Sequence, residues 1–319
     1  MATGGEEEAT AQHILRITDI VQEPLEFIAP IGGYEEMPLV TLEKAVEPLV
    51  TILPAVQSHA YVAKQRCENP ADGLTQDESA SIMLYTMSWR PLDKCLYCVL
   101  NDTLRSPDRQ QKLEPWYLFM KLFLSALFRL PSIPTTAYRG VKLDLSERYV
   151  KGKTIVWWGF SSCTTTVDVL NSKLFLGATG TRTMFTLKCQ SAKDIRKHSY
   201  YPAENEVLLM AATQFKVIGC LNQGDLHIIQ LEETHPPFPL MQPVPVIISP
   251  SIDPTSSEAS TTTAVVTTEA KKQTQSSKSQ KDTTAVAATA SAINVGTNSI
   301  MKQMSTMEIK ASPNKAENV

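Results

Sequence analysis

Two glutamates separated by a single residue, Glu204 and Glu206, stand directly before the apolar run VLLM at 207–210. In an extended strand, residues two apart point to the same face and lie about 7 Å from each other. Two carboxylates on one face repel each other, which favours a site that uses both, although a solvated strand end has the same pattern. Such a pair can perform general acid–base catalysis or stabilise a developing cation.

Two further polar features stand out in the same half of the chain. Tyr138, Arg139 and Gly140 lie within an apolar strand-like run. A guanidinium there can hold a phosphate or diphosphate through paired hydrogen bonds, and the glycine lets a ligand approach the backbone closely. The hydroxyl cluster SSCTTT at 161–166 follows an aromatic run and can orient a carboxylate or contact a ligand. A salt-bridged structural arginine and a polar turn are the alternatives, and no G-x-S-x-G motif supports a serine hydrolase.

Together these residues suit the cleavage of an N-glycosidic bond to ribose. That reaction passes through an oxocarbenium-like cation, which a nearby carboxylate stabilises. Arg139 would hold the diphosphate of the donor, and a hydroxyl would fix the carboxylate rotamer. The second carboxylate would position a guanidinium nucleophile, which attacks poorly until it is oriented because its pKa lies above about 12. A retaining glycosidase also uses two carboxylates, but Arg139 fits a sugar polymer less well.

The periodicity of the chain predicts the elements that position these residues. Residues 39–130 have a helical pattern, with a capping-box pair at Thr75 and Glu78 and an apolar stripe over about 112–129. Residues 131–235 contain short aromatic and β-branched runs between turn residues, which predicts strands, with one short helix at 166–177. Strands with few helices between them favour an α+β fold over a doubly wound parallel sheet, and no G-x-G-x-x-G motif follows a strand.

Both ends of the chain differ from this central part. We expect a flexible N-terminus over 1–38. No aromatic residue occurs after Phe238, and Ser and Thr supply 20 of the 50 residues between Ser251 and Ile300. Such a segment buries too little apolar surface to offset its ordering entropy, so 236–319 is predicted to be a disordered Ser/Thr-rich tail. Its Pro-rich start is either a linker or an extended docking segment.

Composition and motifs exclude several classes of protein. The net charge of −3 over 319 residues argues against nucleic-acid binding. The first ten residues are acidic, and Lys121 and Arg129 interrupt the longest apolar stretch, so we expect a cytoplasmic protein without a membrane segment. The lone CxxC of Cys95 and Cys98 lacks further nearby ligands, so we expect these cysteines to be structural and no metal to bind. The sequence contains no signal for an oligomeric state.

The order Arg139, Ser162 and Glu204-x-Glu206 resembles the Arg–Ser–Glu signature of the arginine-specific mono-ADP-ribosyltransferases. The flanking sequences are similar as well, over roughly residues 70–233: LTQDESASIMLYT, LPSIPTTAYRGV, VWWGFSSCT and ENEVLL. The resemblance implies a helical N-terminal part followed by a split, mainly antiparallel β-core that binds NAD in a cleft. The catalytic domain would then occupy 39–235, with helices over 39–130 and the β-core over 131–235.

The resemblance also implies roles for single residues in binding NAD. Arg139 corresponds to the arginine that contacts the phosphates and ribose of NAD. Gly140 corresponds to the position whose backbone meets the nicotinamide amide, and Tyr138 is grouped with these cofactor-binding residues. Ser162 corresponds to the first serine of the family's Ser-Thr-Ser element, with a role in both binding and catalysis. The chain has Cys163 at the next position, where the family often has threonine, and this departure affects the fine geometry of the element.

The remaining implied roles concern catalysis and the acceptor. Glu206 corresponds to the catalytic glutamate, and Glu204 to the glutamate associated with arginine as acceptor. Tyr200 or Tyr201 would lie in the acceptor-recognition loop. The implied activity is transfer of ADP-ribose from NAD to an exposed arginine of an acceptor protein, with release of nicotinamide.

Three points about this activity stay open at the level of the sequence. NADP is an alternative donor. An NAD glycohydrolase on the same fold, in which water replaces arginine, is one alternative function. A catalytically inactive interaction module is another, although the intact pair of carboxylates argues against it.

Overall fold

The computed structural model describes residues 19–24, 26–172, 175–202 and 205–244. In this part of the chain, helices come first and a seven-stranded sheet follows them. The predicted α+β architecture is therefore confirmed. Most of the predicted tail, residues 245–319, and residues 1–18 of the predicted flexible N-terminus lie outside the described residues.

Six α-helices form the helical part of the described chain. They are α1 (Leu42–Val46), α2 (Val56–Arg66), α3 (Gln76–Thr86), α4 (Leu96–Arg105), α5 (Arg109–Lys112) and α6 (Tyr117–Arg129). A 3-10 turn at Glu114–Trp116 precedes α6, so the helix that was predicted from about residue 112 starts later. The 166–177 segment contains a 3-10 helix at Val167–Asn171.

Helix α3 is fixed at its start by the predicted capping box. The Thr75 hydroxyl accepts from the Glu78 backbone N–H, and the Glu78 carboxylate accepts from the Thr75 N–H at 2.7 Å. Each helix start leaves unpaired N–H groups, and this reciprocal pair satisfies two of them. Almost every residue of α3 is buried, as in α6, so both helices lie inside the helical core rather than on its surface.

The sheet is antiparallel apart from one parallel pair, β4 with β7. Its order is β1-β3-β5-β4-β7-β6-β2, with an additional pairing of β1 to β4. The strands are β1 (Ser132–Val141), β2 (Thr154–Trp157), β3 (Ser161–Thr164), β4 (Arg182–Asp194), β5 (Glu206–Leu209), β6 (Thr213–Gln223) and β7 (Leu226–Thr234). The pairing places β1, β3 and β5, which contain Arg139, Ser162 and Glu206, next to one another.

The described residues form two buried apolar clusters, one on each side of β5. Leu208 belongs to the cluster made mainly by the helices, whereas Val207 and Leu209 belong to the cluster within the sheet part. This alternation is what a strand with a period of two produces when both of its faces are covered. The strand that begins at Glu206 is therefore buried on both faces.

The structure places parts of both chain ends in the fold. Within the predicted flexible segment 1–38, Ile20, Glu23 and Ile31 are buried. At the start of the predicted tail, Leu240 is buried and its carbonyl accepts from the Ile31 N–H at 2.8 Å. Parts of both segments are thus packed, because Ile31 and Leu240 are buried and their backbones pair with each other.

Candidate active site

Arg139 is buried on β1 with 2% of its surface exposed. Its Nη1 donates to the Ser162 backbone carbonyl on β3 at 3.4 Å, and its guanidinium carbon lies 5.9 Å from the centre of the Trp157 ring. A buried charge requires hydrogen-bonding partners, so this contact ties the guanidinium to the strand that contains the hydroxyl cluster. The structure therefore brings two of the predicted site residues, Arg139 and Ser162, into direct contact.

The strand register places Glu206 in the same row as residues of β1 and β3. Tyr138 pairs with Thr164, and Thr164 pairs with Glu206. Directly opposite residues of antiparallel strands share a face, and so do residues two apart on one strand. Tyr138, Ser162 and Glu206 therefore share one face of the sheet. Arg139 follows Tyr138 on β1 and so starts from the opposite face, and its Nη1 bonds to the Ser162 backbone carbonyl.

The Glu206 carboxylate is 3% exposed and accepts a hydrogen bond from the Ser199 hydroxyl, with an Oγ–Oε2 distance of 3.2 Å. The Ser162 side chain makes no hydrogen bond to a residue that the structure describes. The sequence indicated that a hydroxyl would fix the carboxylate but did not single out Ser199. The available signal was a serine in the loop immediately before the acidic pair.

Glu204 lies outside the described residues, so its role stays a prediction. Its neighbour Asn205 has a φ of 48°, in the left-handed region that asparagine tolerates better than most residues. Strand β5 begins only after this residue, at Glu206.

Gly140 allows a close approach of two chain segments at the end of β1. A Cβ at this position would lie 2.8 Å from the Leu176 Cβ and 3.3 Å from the Leu176 backbone. The sequence suggested that the glycine lets a ligand approach. In the structure, the turn around Leu176 occupies the side on which a Cβ would project. The Tyr138 side chain next to Gly140 is half-buried.

The loop before β5 contains both tyrosines that were predicted for acceptor recognition. The Tyr200 ring packs against the helical core cluster, with the Arg66 guanidinium 4.4 Å above its centre. The Tyr201 hydroxyl lies 2.9 Å from the Ser88 hydroxyl. Their roles toward an acceptor stay predictions, and both side chains contact the helical part.

A Ser–His–Asp arrangement that the sequence did not indicate lies next to this loop. His198 is completely buried, with Nδ1 2.9 Å from the Ser79 hydroxyl and Nε2 3.2 Å from the Asp72 carboxylate. Burial lowers the pKa of His198, and the nearby Asp72 opposes this effect. A substrate cannot reach Ser79, which is 2% exposed, so the arrangement joins the loop to the helical part rather than forming a nucleophilic site.

The described residues contain no cluster of three or more His, Cys, Asp or Glu side chains that could hold a metal ion. All six cysteines are free thiols. Cys95 is buried, and its sulfur contacts the backbone N–H of Trp89 at 3.0 Å and its carbonyl at 3.1 Å. Of the helices described, none has the length and apolar character needed to cross a membrane.

A family model described as NAD:arginine ADP-ribosyltransferase matches residues 44–236, more than half of the chain. The chain belongs to this family. The matched region runs from within α1 to just beyond β7, so it contains the three strands of the candidate site. Members of the family use NAD as a substrate, which makes this chain an NAD-utilising ADP-ribosyltransferase by family.

Single proteins match this chain at low sequence identity or over a short region. Mav of Mycobacterium avium (strain 104), whose name places it with the NAD(+)–arginine ADP-ribosyltransferases, is 34% identical over 96 residues. That match spans 30% of this chain and only 11% of Mav.

Two solved structures are also similar. Vis of Vibrio splendidus in complex with agmatine is 21% identical, with a TM-score of 0.41, covering 63% of this chain and 90% of Vis. The eucaryotic mono-ADP-ribosyltransferase ART2.2 is 18% identical, with a TM-score of 0.48, covering 68% of this chain and 96% of ART2.2.

Proposed function

We propose that this chain transfers ADP-ribose from NAD to arginine side chains of proteins and releases nicotinamide. The family match supports the donor and the type of reaction. The observation that supports the site assignment is the adjacency of β1, β3 and β5, the strands that contain Arg139, Ser162 and Glu206. The name of Mav supports arginine as the acceptor.

The residues in this region fit a bound dinucleotide. The Ser162 hydroxyl, unpaired among the described residues, can bond to a ribose or to the nicotinamide amide. The half-buried Tyr138 lies in the same row and offers a ring against which a planar group can pack. When bound, NAD supplies the activated ribose–nicotinamide bond, with nicotinamide as a neutral leaving group.

Glu206 then stabilises the positive charge that develops on the ribose as its bond to the nicotinamide nitrogen breaks. The electron pair of that bond leaves with nicotinamide. An acceptor arginine forms a new bond from its terminal nitrogen to the ribose carbon and loses one proton. Glu204 orients this guanidinium and helps to take up the proton, as the sequence predicts for the earlier acid. Arg139 joins β1 to β3 through the Ser162 carbonyl, and we assign to it the binding of the donor's phosphates that the family resemblance implies.

Mass spectrometry of an arginine-rich acceptor after incubation with the full chain and NAD tests this proposal. We expect ADP-ribose on arginine side chains and a matching amount of free nicotinamide. Adducts confined to other side chains would overturn the arginine assignment, and absence of nicotinamide release with any acceptor would overturn the enzymatic assignment. The same assay with NADP tests the second donor, for which the described residues offer no specific support.

Substitution of Glu204 separates transfer to arginine from hydrolysis of NAD. We expect Glu204→Gln to lose ADP-ribosylation of the acceptor while retaining part of the nicotinamide release, because water needs no carboxylate to orient it as a guanidinium does. Acceptor labelling and nicotinamide release are measured on the same samples. Equal loss of both activities would contradict this division of roles between Glu204 and Glu206.

A further inference from the structure

The loop between β4 and β5, residues 195–202, is attached to the helical part at several points. His198 lies between the Ser79 hydroxyl and the Asp72 carboxylate and is completely buried. Two residues later, the Tyr200 N–H donates to the Thr86 hydroxyl at 2.8 Å. Thr86 is itself buried and donates to the Met83 carbonyl within α3. The loop is thus attached to the helical part on both sides of Ser199, by the His198 ring before it and by the Tyr200 backbone after it.

Ser199 lies at the centre of this attached loop with 5% of its surface exposed. Its hydroxyl oxygen accepts from the Tyr201 backbone N–H at 3.1 Å and donates to Glu206 Oε2 at 3.2 Å. A hydroxyl has one proton and two lone pairs. Because the Tyr201 N–H occupies a lone pair, the hydroxyl proton is left to point at the carboxylate. An ionised carboxylate can only accept, so the direction of this bond is fixed.

We propose that Ser199 is a positioning residue that holds the Glu206 carboxylate in the orientation needed for its role in ADP-ribose transfer. The inference rests on the proposed function, because it assumes that Glu206 stabilises the cationic ribose. The contacts of His198 and Tyr200 with the helical part keep Ser199 in place. In this arrangement, the helical part acts on the Glu206 carboxylate indirectly, by holding the loop that carries the Ser199 hydroxyl.

The Ser199 bond is buried at both ends, since Glu206 is 3% exposed. Hydrogen bonds to charged groups in such surroundings have larger effects than neutral, exposed ones. We expect Ser199→Ala to lower kcat for nicotinamide release by about 10- to 100-fold with little change in the KM for NAD. The change falls on kcat because the hydroxyl acts on the carboxylate and not on NAD itself.

Two variants separate positioning from a general loss of folding. Ser199→Thr keeps the hydroxyl and should retain most of the activity, whereas Ser199→Ala should not. Ser58→Ala is the matched control, because it removes an exposed serine hydroxyl on α2. Thermal unfolding of all three variants should show midpoints within a few degrees of wild type. Equal kcat for wild type and Ser199→Ala, or equal loss in the Ala and Thr variants, would overturn the inference.

Crystal structures of the full chain and of Ser199→Ala provide a readout that needs no turnover. We expect the Glu206 side chain to leave its position in Ser199→Ala and to keep it in Ser199→Thr. An unchanged Glu206 in the alanine variant would overturn the inference even if the enzyme proved active. If wild type releases no nicotinamide, the proposed function fails on its own, and the crystal structures still decide whether Ser199 positions Glu206.

Discussion

Glu23 and Glu206 are both buried carboxylates close to β3, and they are attached to different parts of the molecule. Glu23 accepts from the Arg105 Nε at 2.6 Å and from the backbone N–H groups of Trp158 and Gly159 at 2.6 and 3.2 Å. These donors lie in α4 and in the connection from β2 to β3. Glu23 therefore joins the N-terminal segment to the sheet just ahead of Ser162.

Glu206 is bonded instead by a serine hydroxyl in a loop that itself contacts the helices. A hydroxyl can turn about its C–O bond, whereas backbone N–H groups in packed elements cannot. The comparison teaches that burial alone does not identify a functional carboxylate in this fold. Glu23 joins a guanidinium and two backbone N–H groups and so stabilises the fold, whereas Glu206 lies in the same row as Tyr138 and Ser162, where the proposed function places the ribose.

Neutralising Glu206 gives the largest expected effect. We expect Glu206→Gln to lower kcat for nicotinamide release by about 10²- to 10³-fold, since the amide cannot stabilise a cation as a carboxylate does. Stability should change little, because the amide oxygen still accepts from Ser199. Steady-state kinetics and thermal unfolding of the same preparation check both statements. Full activity in this variant would remove Glu206 from the proposed site.

Glu147→Gln is the control for Glu206→Gln, because Glu147 is an exposed glutamate in the turn before β2. Glu147→Gln should have the same kcat for nicotinamide release and the same thermal unfolding midpoint as wild type.

The opposite pattern is expected for the other buried carboxylate. Glu23→Gln takes away the charge that lies against the Arg105 guanidinium, and both side chains are 4% exposed. Removing one partner of a buried pair leaves the other poorly compensated, so we expect the free energy of unfolding to fall by about 3 kcal/mol. Urea titration measures this change.

The surface pair of Lys188 and Glu232 supplies the control for Glu23→Gln. Because both side chains are substantially exposed, Glu232→Gln should change the free energy of unfolding by less than about 1 kcal/mol. If the two variants are equally destabilised, the contrast between Glu23 and a surface carboxylate is wrong.

A smaller effect is expected from the titration of His198, which helps to hold the loop that carries Ser199. Burial lowers the pKa of His198 below its ordinary value of 6.5. As the pH falls below about 6.5, the unfolded chain therefore binds a proton that the folded chain does not. The free energy of unfolding should decrease across this window until the pH passes the lower pKa of the folded state.

Chemical denaturation at pH values between 7 and 5 measures this decrease. His198→Asn keeps a polar side chain at the position and should show a flatter dependence on pH. Identical slopes in wild type and variant would mean that His198 does not contribute to the loss.

Local patterns in the sequence were sufficient for most of the fold. The capping box of α3 and the apolar stripe of α6 depend on residues three or four apart, and the structure contains both. The order of Arg139, Ser162 and Glu206 along the chain identified three strands that the structure makes neighbours. Residue types and spacing could reveal these features because each one is contained in a single short segment.

Features that depend on distant partners were missed. Glu23 belongs to a segment that was expected to be flexible, because its partners Arg105 and Trp158 are far away in sequence. The left-handed backbone at Asn205, directly before β5, was not predicted either. Ser199 has no distinctive neighbours in sequence. Its hydrogen bond to Glu206 joins residues seven apart, a separation that neither helix nor strand periodicity predicts.

The bridge between Ile31 and Met241 joins two segments that both lie outside the region matched by the family. Two backbone hydrogen bonds accompany it: the Ile31 N–H donates to the Leu240 carbonyl at 2.8 Å, and the Gln242 N–H donates to the Ile31 carbonyl at 2.9 Å. A fragment that keeps this pairing must therefore extend beyond the matched region in both directions, far enough to include Ile31 and Gln242. A fragment trimmed to 44–236 would lack both Ile31 and Leu240, and the part of the helical core that these side chains cover would be exposed to water.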